Sequence, residues 1–444
     1  MVQLTNNDLI QQKIKELVEL KLQSKKKEWI PGTDWVMYSG SLFDADEYIA
    51  GIDTLLDGWL ALGENGIRFE NKFSPRLGKQ FGALTNSGSS ANLLMVSSLA
   101  SRKLFNLPKG SKIITPVAGF PTTINPILQN GYEPVFIDIE LDTLNLNIEQ
   151  LELAAKQGAS ALIFAHVLAN PPNMDEVMSI VKRYGLILLE DCCDALGSMY
   201  DGKPLGSFGE LSSCSFYPAH HITMGEGGFV ACKTKQQEVV IKSLREWGRG
   251  CYCSGKASSC LPNGMCKRRF SNWLPLLPNE IMDHKYVYEE IGYNLKPLEM
   301  QASIGLIQLK KLDNIIEKRK YNFSRLYKIF EPYSDIFVLP KATQKSDPSW
   351  FAFPLTLKDT SKFTRIQFTM FLESNKIQTR NYFGGNILLQ PAYKHLITTD
   401  PITTYPNATK ATTNTFFLGT SPVIKDQHLD YIQKMVDTFL INNR

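Results

Sequence analysis

The chain has 444 residues, 43% of them hydrophobic and 21% charged, with a formal net charge of +4. That length buries a large core and suits two or three domains, and the composition is that of a soluble globular enzyme. The charge is too weak to point to nucleic acid, and no basic stretch is interleaved with aromatics as a binding groove requires.

Residues 1–28 lack the continuous apolar run of a signal peptide. Ile10, Ile14, Leu17 and Leu20 recur at helical spacing among Gln, Lys and Glu, which predicts a docking helix within an N-terminal segment over 1–60. No apolar run approaches the roughly 20 residues needed to cross a bilayer. A cytoplasmic protein with no membrane partner is expected.

From about residue 80 to 235 apolar β-like runs alternate with helical patterns. Strands are predicted over 112–117, 134–138, 160–166 and 186–190, with helices near 89–103, 147–157 and 174–184. This alternation implies an α/β domain with a mostly parallel sheet covered on both faces, over 61–334. Ligands then belong outside the carboxyl ends of the strands. Residues 246–290, rich in Cys, Gly, Ser, Pro and Lys, break the rhythm as an insertion. A long helical pattern follows near 297–330. Beyond Pro340 a strand at 351–357 and helices at 363–374 and 426–441 predict a smaller α/β domain over 335–444.

Three blocks carry chemistry. In Thr85-Asn86-Ser87-Gly88-Ser89-Ser90 small residues open a helix, so backbone N–H groups and the helix dipole suit a phosphate at Gly88 and Ser89. A Ser-rich helix cap is also common without a ligand. In Leu188-Leu189-Glu190-Asp191-Cys192-Cys193-Asp194 an aspartate ends a buried strand. Asp191 is placed to anchor a protonated ring nitrogen such as the pyridinium of pyridoxal phosphate, or simply to cap the next turn. The third block, Ser215-Phe216-Tyr217-Pro218-Ala219-His220-His221, runs on into Gly225-Glu226-Gly227-Gly228.

Glu190-Asp191, this third block and Gly292-Tyr293-Asn294-Leu295 together resemble the DegT/DnrJ/EryC1/StrS sugar aminotransferase family of the type I aminotransferase fold. In that family the Schiff-base lysine follows the phenylalanine of Ser-Phe by four residues. Here the same position is His220, and no lysine occurs between Leu211 and Ala231. Without the amine no covalent cofactor link forms, so an ordinary transaminase is disfavoured. An imidazole still removes protons near neutral pH. The implied cofactor is pyridoxamine 5'-phosphate (the PMP form of PLP), held noncovalently. His221 competes with His220 and is separated from it only by register.

Four of the eight cysteines, Cys251, Cys253, Cys260 and Cys266, crowd into 251–266. Such crowding in an intracellular enzyme favours metal ligation, and four thiolates hold a [2Fe–2S] cluster. Zinc also takes four thiolates, although its ligand pairs are usually spaced two to four residues apart, unlike Cys251 and Cys253. The histidine and the cysteines together resemble the CDP-4-keto-6-deoxyglucose 3-dehydratase branch of the family. That resemblance implies C3 dehydration of a nucleotide-linked 4-keto-6-deoxyhexose, on the way to 3,6-dideoxyhexoses of lipopolysaccharide O-antigen.

The same resemblance implies His220 as base, with Tyr217 and Asp194 beside it to tune the base or a radical, and Asp191 on the ring nitrogen. Phe120 would stack on the ring, Gly88, Ser89 and Ser215 would hold the phosphate, and Asn294 would reach it from the neighbouring subunit of a homodimer. Cys193, Cys251 and Cys253 match the cluster ligands, with Cys266 preferred over Cys260 as the fourth. The implied partner is an NADH-dependent flavin/iron–sulfur reductase, and no Gly-x-Gly-x-x-Gly dinucleotide fingerprint follows a strand here. Arg380 and Asn381 read as a surface loop that is also suited to sugar or diphosphate.

Overall fold

A computed structural model describes residues 6–251 and 269–443. Seven strands form the central sheet: β1 Phe81–Thr85, β2 Lys112–Pro116, β3 Glu133–Ile137, β4 Ala161–Ala165, β5 Ile187–Asp191, β6 Leu211–Ser215 and β7 Gly228–Cys232. Their order is β1-β7-β6-β5-β4-β2-β3. β2 to β6 pair in parallel, and β7 alone is antiparallel to both its neighbours. β4 is apolar along its whole length, and β5 over Ile187–Leu189, because helices cover both faces. The two faces pack separate cores, one around Phe69, Phe73, Leu162 and Phe216 and the other around Leu94, Ile113, Leu189 and Val240. This is the type I aminotransferase architecture expected from the sequence.

Most of the predicted helices are found: Ile148–Lys156, Met174–Tyr184, Glu299–Phe330, Arg365–Ser374 and Asp426–Asn443. The helix expected over 89–103 spans only Gly88–Ser98. Beyond it the chain tightens into turns and reaches Asn106 at φ 48°. The N-terminal helix, Asn6–Ser24, docks on Ala45–Leu56 through Gln11, whose amide donates to Asp53 at 2.9 Å.

A second, antiparallel sheet has β8 Phe337–Val338, β9 Ala352–Leu357, β10 Arg380–Asn381 and β11 Thr415–Gly419 in the order β8-β9-β11-β10. Its core around Phe353, Phe368 and Leu418 also takes Val36, which bridges Ile377 from the N-terminal segment. A further cluster, containing Val117, Val167, Ala219, Phe351, Tyr382 and Phe417, joins the two sheets. It lies beside the carboxyl ends of the large sheet's parallel strands. None of the described helices is long and apolar enough to cross a membrane.

Candidate active site

A cavity of about 910 Å³ opens beyond the carboxyl ends of β1, β2, β4, β5 and β6 and is closed on one side by the second sheet. Each strand delivers its next residues to the wall, as expected where parallel strands end.

After β1 the chain turns at Ser87, whose Oγ accepts from Ser90 N at 3.1 Å and caps the Gly88–Ser98 helix. The first N–H groups of a helix have no partner within it, and here that turn lines the cavity. A β-carbon on Gly88 would sit 2.5 Å from Ser215 Cβ and 3.0 Å from Cys193 Sγ, so only glycine lets the three segments close together. Gly88, Ser89 and Ser215 are thereby brought to one end of the cavity.

At the end of β5, Asp191 is buried and still faces the cavity. Oδ2 accepts from Asn92 Nδ2 and Thr123 Oγ1, both at 2.7 Å; Oδ1 accepts from Cys193 N at 3.0 Å and Ser213 Oγ at 3.3 Å. Four donors from four segments fix the carboxylate. Asn92 lies one helical turn after Gly88, two residues beyond the block singled out in the sequence. Thr123 comes from the Pro121–Gln129 helix, which Phe120 caps. Phe120 lines the cavity with 52% of its surface exposed and meets Phe383 edge-on at 6.1 Å.

The two histidines part ways. His220 lines the cavity, its Nε2 3.5 Å from Asp194 Oδ1, and its Nδ1 has no hydrogen-bond partner among the described residues. Its ring lies between Tyr217, 6.1 Å away, and Phe351, 5.5 Å away. His221 turns from the cavity, and its Nε2 meets Ser349 Oγ at 2.8 Å. Burial, aided by the Arg319 and His220 charges, holds the His221 imidazole well below the usual histidine range. Below about pH 6.5 the unfolded chain therefore binds a proton at this site that the native state refuses. Stability falls as the pH drops through that range, and His221→Gln is expected to flatten this part of a urea-denaturation pH profile.

The second sheet supplies Arg380, Asn381, Phe383 and Phe417. Arg380 is exposed, as the sequence reading favoured, and also lines the cavity rim, with its guanidinium 4.2 Å from the Tyr38 ring. It is the only lysine or arginine lining the cavity among the described residues. Burial raises the Tyr38 hydroxyl, with Arg380 opposing. Tyr38, Asn92, Thr123, Glu226 and Phe351 are lining or supporting residues that motif reading did not single out. Two of them had a signal: Asn92 its one-turn spacing from Gly88, and Glu226 its place in the Gly225–Gly228 run.

Asn294 is exposed and does not line its own chain's cavity; it bridges Glu246, and the carbonyl of the next residue, Leu295, accepts from Asn86 N at 2.9 Å. Of the predicted cluster ligands, Cys193 lines the cavity and burial pushes its thiol well above the ordinary range. Cys251 ends the segment in which Gly250 N donates to Val287 O at 2.8 Å. Cys253 and Cys266, with the alternative Cys260, lie outside the described residues.

One other cluster of potential ligands stands among the described residues, the buried His166, Glu190 and Cys192. Glu190 is already taken by His166 Nε2 at 2.9 Å and by the backbone N–H groups of Gly206, Phe208 and Gly209 at 3.0, 2.9 and 2.6 Å. It holds the turn before β6 rather than facing the cavity.

A family model described as the DegT/DnrJ/EryC1/StrS aminotransferase family matches residues 44–437. The chain is 42% identical to the lipopolysaccharide biosynthesis protein RfbH of Salmonella typhimurium, over 93% of each chain. It is 40% identical to the dTDP-4-dehydro-2,6-dideoxy-D-glucose 3-dehydratase of Saccharopolyspora spinosa, over 94% of this chain and 89% of that one. It is 30% identical to the GDP-4-keto-6-deoxy-D-mannose 3-dehydratase of Escherichia coli O55:H7, over 90% and 98%. Among solved structures, the E. coli GDP-4-keto-6-deoxy-D-mannose-3-dehydratase with bound hydrated PLP aligns with a TM-score of 0.76 at 28% identity, covering 90% of this chain and 98% of that one.

Proposed function

This chain belongs to the DegT/DnrJ/EryC1/StrS aminotransferase family, and we propose that it is a pyridoxamine phosphate-dependent sugar-nucleotide 3-dehydratase of deoxysugar biosynthesis. One observation carries the reading: His220, not a lysine, faces the cavity where relatives of the family carry their Schiff-base residue, and no lysine lines that cavity among the described residues.

The residues present fit the cofactor. Gly88, at the capped helix start, lets Ser215 close against it, and Ser89 and Ser215 flank the turn as a phosphate cradle. Asp191 offers its carboxylate to the ring nitrogen, and the exposed face of Phe120 offers a stacking surface. Pyridoxamine phosphate held there supplies a primary amine for the sugar's C4 ketone and an electron-withdrawing ring.

The chain's own residues do the rest. His220 faces the cavity, with Asp194 3.5 Å from its Nε2 to orient the ring, and its imidazole is the group placed to take a proton from the cofactor's C4′ carbon. The same imidazole is placed to return that proton as the C3 hydroxyl departs. Arg380 on the rim meets the substrate's diphosphate, since a guanidinium matches phosphate geometry. Tyr217 borders the base.

The finer reading makes the substrate CDP-4-keto-6-deoxyglucose. It adds a [2Fe–2S] cluster on Cys193, Cys251, Cys253 and Cys266, and a reductase using NADH, flavin and its own iron–sulfur centre. A homodimer brings Asn294 to the neighbouring phosphate site. The cysteine pattern of the sequence and the likeness to the branch support these points.

Anaerobic purification with iron, sulfide and B6 quantified on one sample tests the whole reading. Equal iron and sulfide together with bound B6 are expected. B6 without iron would point to a cluster-free dehydratase, and zinc without B6 to a non-catalytic homologue.

A further inference from the structure

The Glu299–Phe330 helix belongs to both halves of the molecule. Its residues Ala302 to Ile315 pack into the core of the large sheet, whereas Leu326, Ile329 and Phe330 pack into that of the small one. Between them lies Arg319, 1% exposed. Among the described residues its guanidinium bonds to no carboxylate. Nη2 donates to the carbonyls of Ala219 and His220, both at 3.1 Å. Nη1 donates to Phe351 O at 3.0 Å and approaches Thr420 Oγ1 at 3.5 Å.

Two of these acceptors belong to the turn that carries His220, and the other two belong to the small sheet's side of the molecule. Phe351, bonded through its carbonyl, also faces the His220 ring and donates its N–H to Leu168 O at 3.1 Å. Burying a cation without a counter-ion is expensive, and burial pushes this guanidinium down to about 10, with Asp194 opposing. A methionine of similar bulk would fill the space without that cost, but would leave the four oxygens with no shared donor.

We propose that Arg319 is a positioning residue that fixes the His220 imidazole in the cavity by clamping the Ala219–His220 turn to the small domain. The inference rests on the reading of His220 as the base. Arg319 does not line the cavity, so it acts through the turn. A planar fork with donors in two directions suits this task, whereas a lysine ammonium reaches only part of the set.

The test uses the full chain loaded with pyridoxamine phosphate, as Arg319→Met and Arg319→Lys, with His220→Asn as reference. Proton NMR locates the His220 Cε1–H by its absence in His220→Asn, and its ring-current shift reports the contact with Phe351. Arg319→Met is expected to move that resonance towards the exposed-histidine position. Turnover of the sugar nucleotide should fall on the order of a hundredfold, as a misplacement of about 1 Å costs, with KM and cofactor affinity within about twofold of wild type. Arg319→Lys should recover both signals in part.

An unmoved resonance with unchanged turnover in Arg319→Met would overturn the proposal, as would loss of cofactor binding in step with turnover. If the methionine variant does not fold, the lysine variant carries the same two readouts. If His220→Asn retains proton transfer, the assignment of the base fails, and the resonance shift still decides whether the clamp exists.

Discussion

His220→Asn is expected to leave pyridoxamine phosphate bound and to stop proton removal from its C4′ carbon. Of the cofactor's proposed contacts, Gly88, Ser89, Asp191 and Phe120 come from other segments of the wall, and Ser215 alone shares a segment with His220. An asparagine keeps the polarity and much of the volume of the imidazole but has no basic nitrogen. General base catalysis contributes about 10²–10⁴-fold, so turnover should fall by at least that lower figure. Cofactor affinity, followed by absorbance during equilibrium dialysis, should stay within about twofold.

His221→Asn supplies the contrast. Its imidazole serves the buried Ser349, so the expected effect is lost stability with proton transfer retained. If His221→Asn stopped proton transfer and His220→Asn did not, the assignment of the base would be reversed.

Asp191→Asn carries the second large effect. Two oxygens of Asp191 accept four donors, and the new amide accepts only through its carbonyl. If that carbonyl takes the Oδ1 position, Asn92 Nδ2 and Thr123 Oγ1 face an NH₂ group. A buried donor left unsatisfied costs about 1–3 kcal/mol, so the midpoint of urea denaturation should drop clearly. The loss of negative charge beside the ring nitrogen also weakens the pull on electrons at the reacting carbon. Removing a preorganised electrostatic contact of this kind costs on the order of 10²–10³-fold. A wild-type rate in Asp191→Asn with cofactor bound would remove Asp191 from the mechanism. The two variants differ in kind: His220→Asn should spare stability, whereas Asp191→Asn should lower stability and rate together.

Much of this site could be read along the chain because its parts are local. The apolar runs of β4 and β5, the helix start at Gly88 and the aspartate closing β5 each announce themselves within a few residues. The absence of lysine in the Ser215–Gly228 block is equally local. What escaped reading depends on distant segments meeting. Tyr38 reaches the cavity because Val36 pairs with Ile377 in the small domain. Arg380, which the sequence left between surface loop and phosphate contact, reaches it because β10 pairs with β11 at the edge of the second sheet. Neither position has a composition that separates it from ordinary surface.

The reversed strand β7 was also hidden, since a buried antiparallel strand is as apolar as a parallel one. The choice between His220 and His221 needed the turn's conformation. Adjacent side chains leave a turn in different directions, and the sequence carries no sign of which faces the ligand.

A cavity wall with no lysine among the described residues has a meaning beyond chemistry. A vitamin held only by noncovalent contacts is always in equilibrium with the surrounding pool, so each protein molecule is a tenant-and-vacancy system rather than a permanently charged one. Its folding stability then follows the ambient vitamer by mass action, rising about 1.4 kcal/mol for each tenfold excess over the dissociation constant. Dilution alone empties it, and a cell starved of B6 would lose this protein's durability together with its turnover.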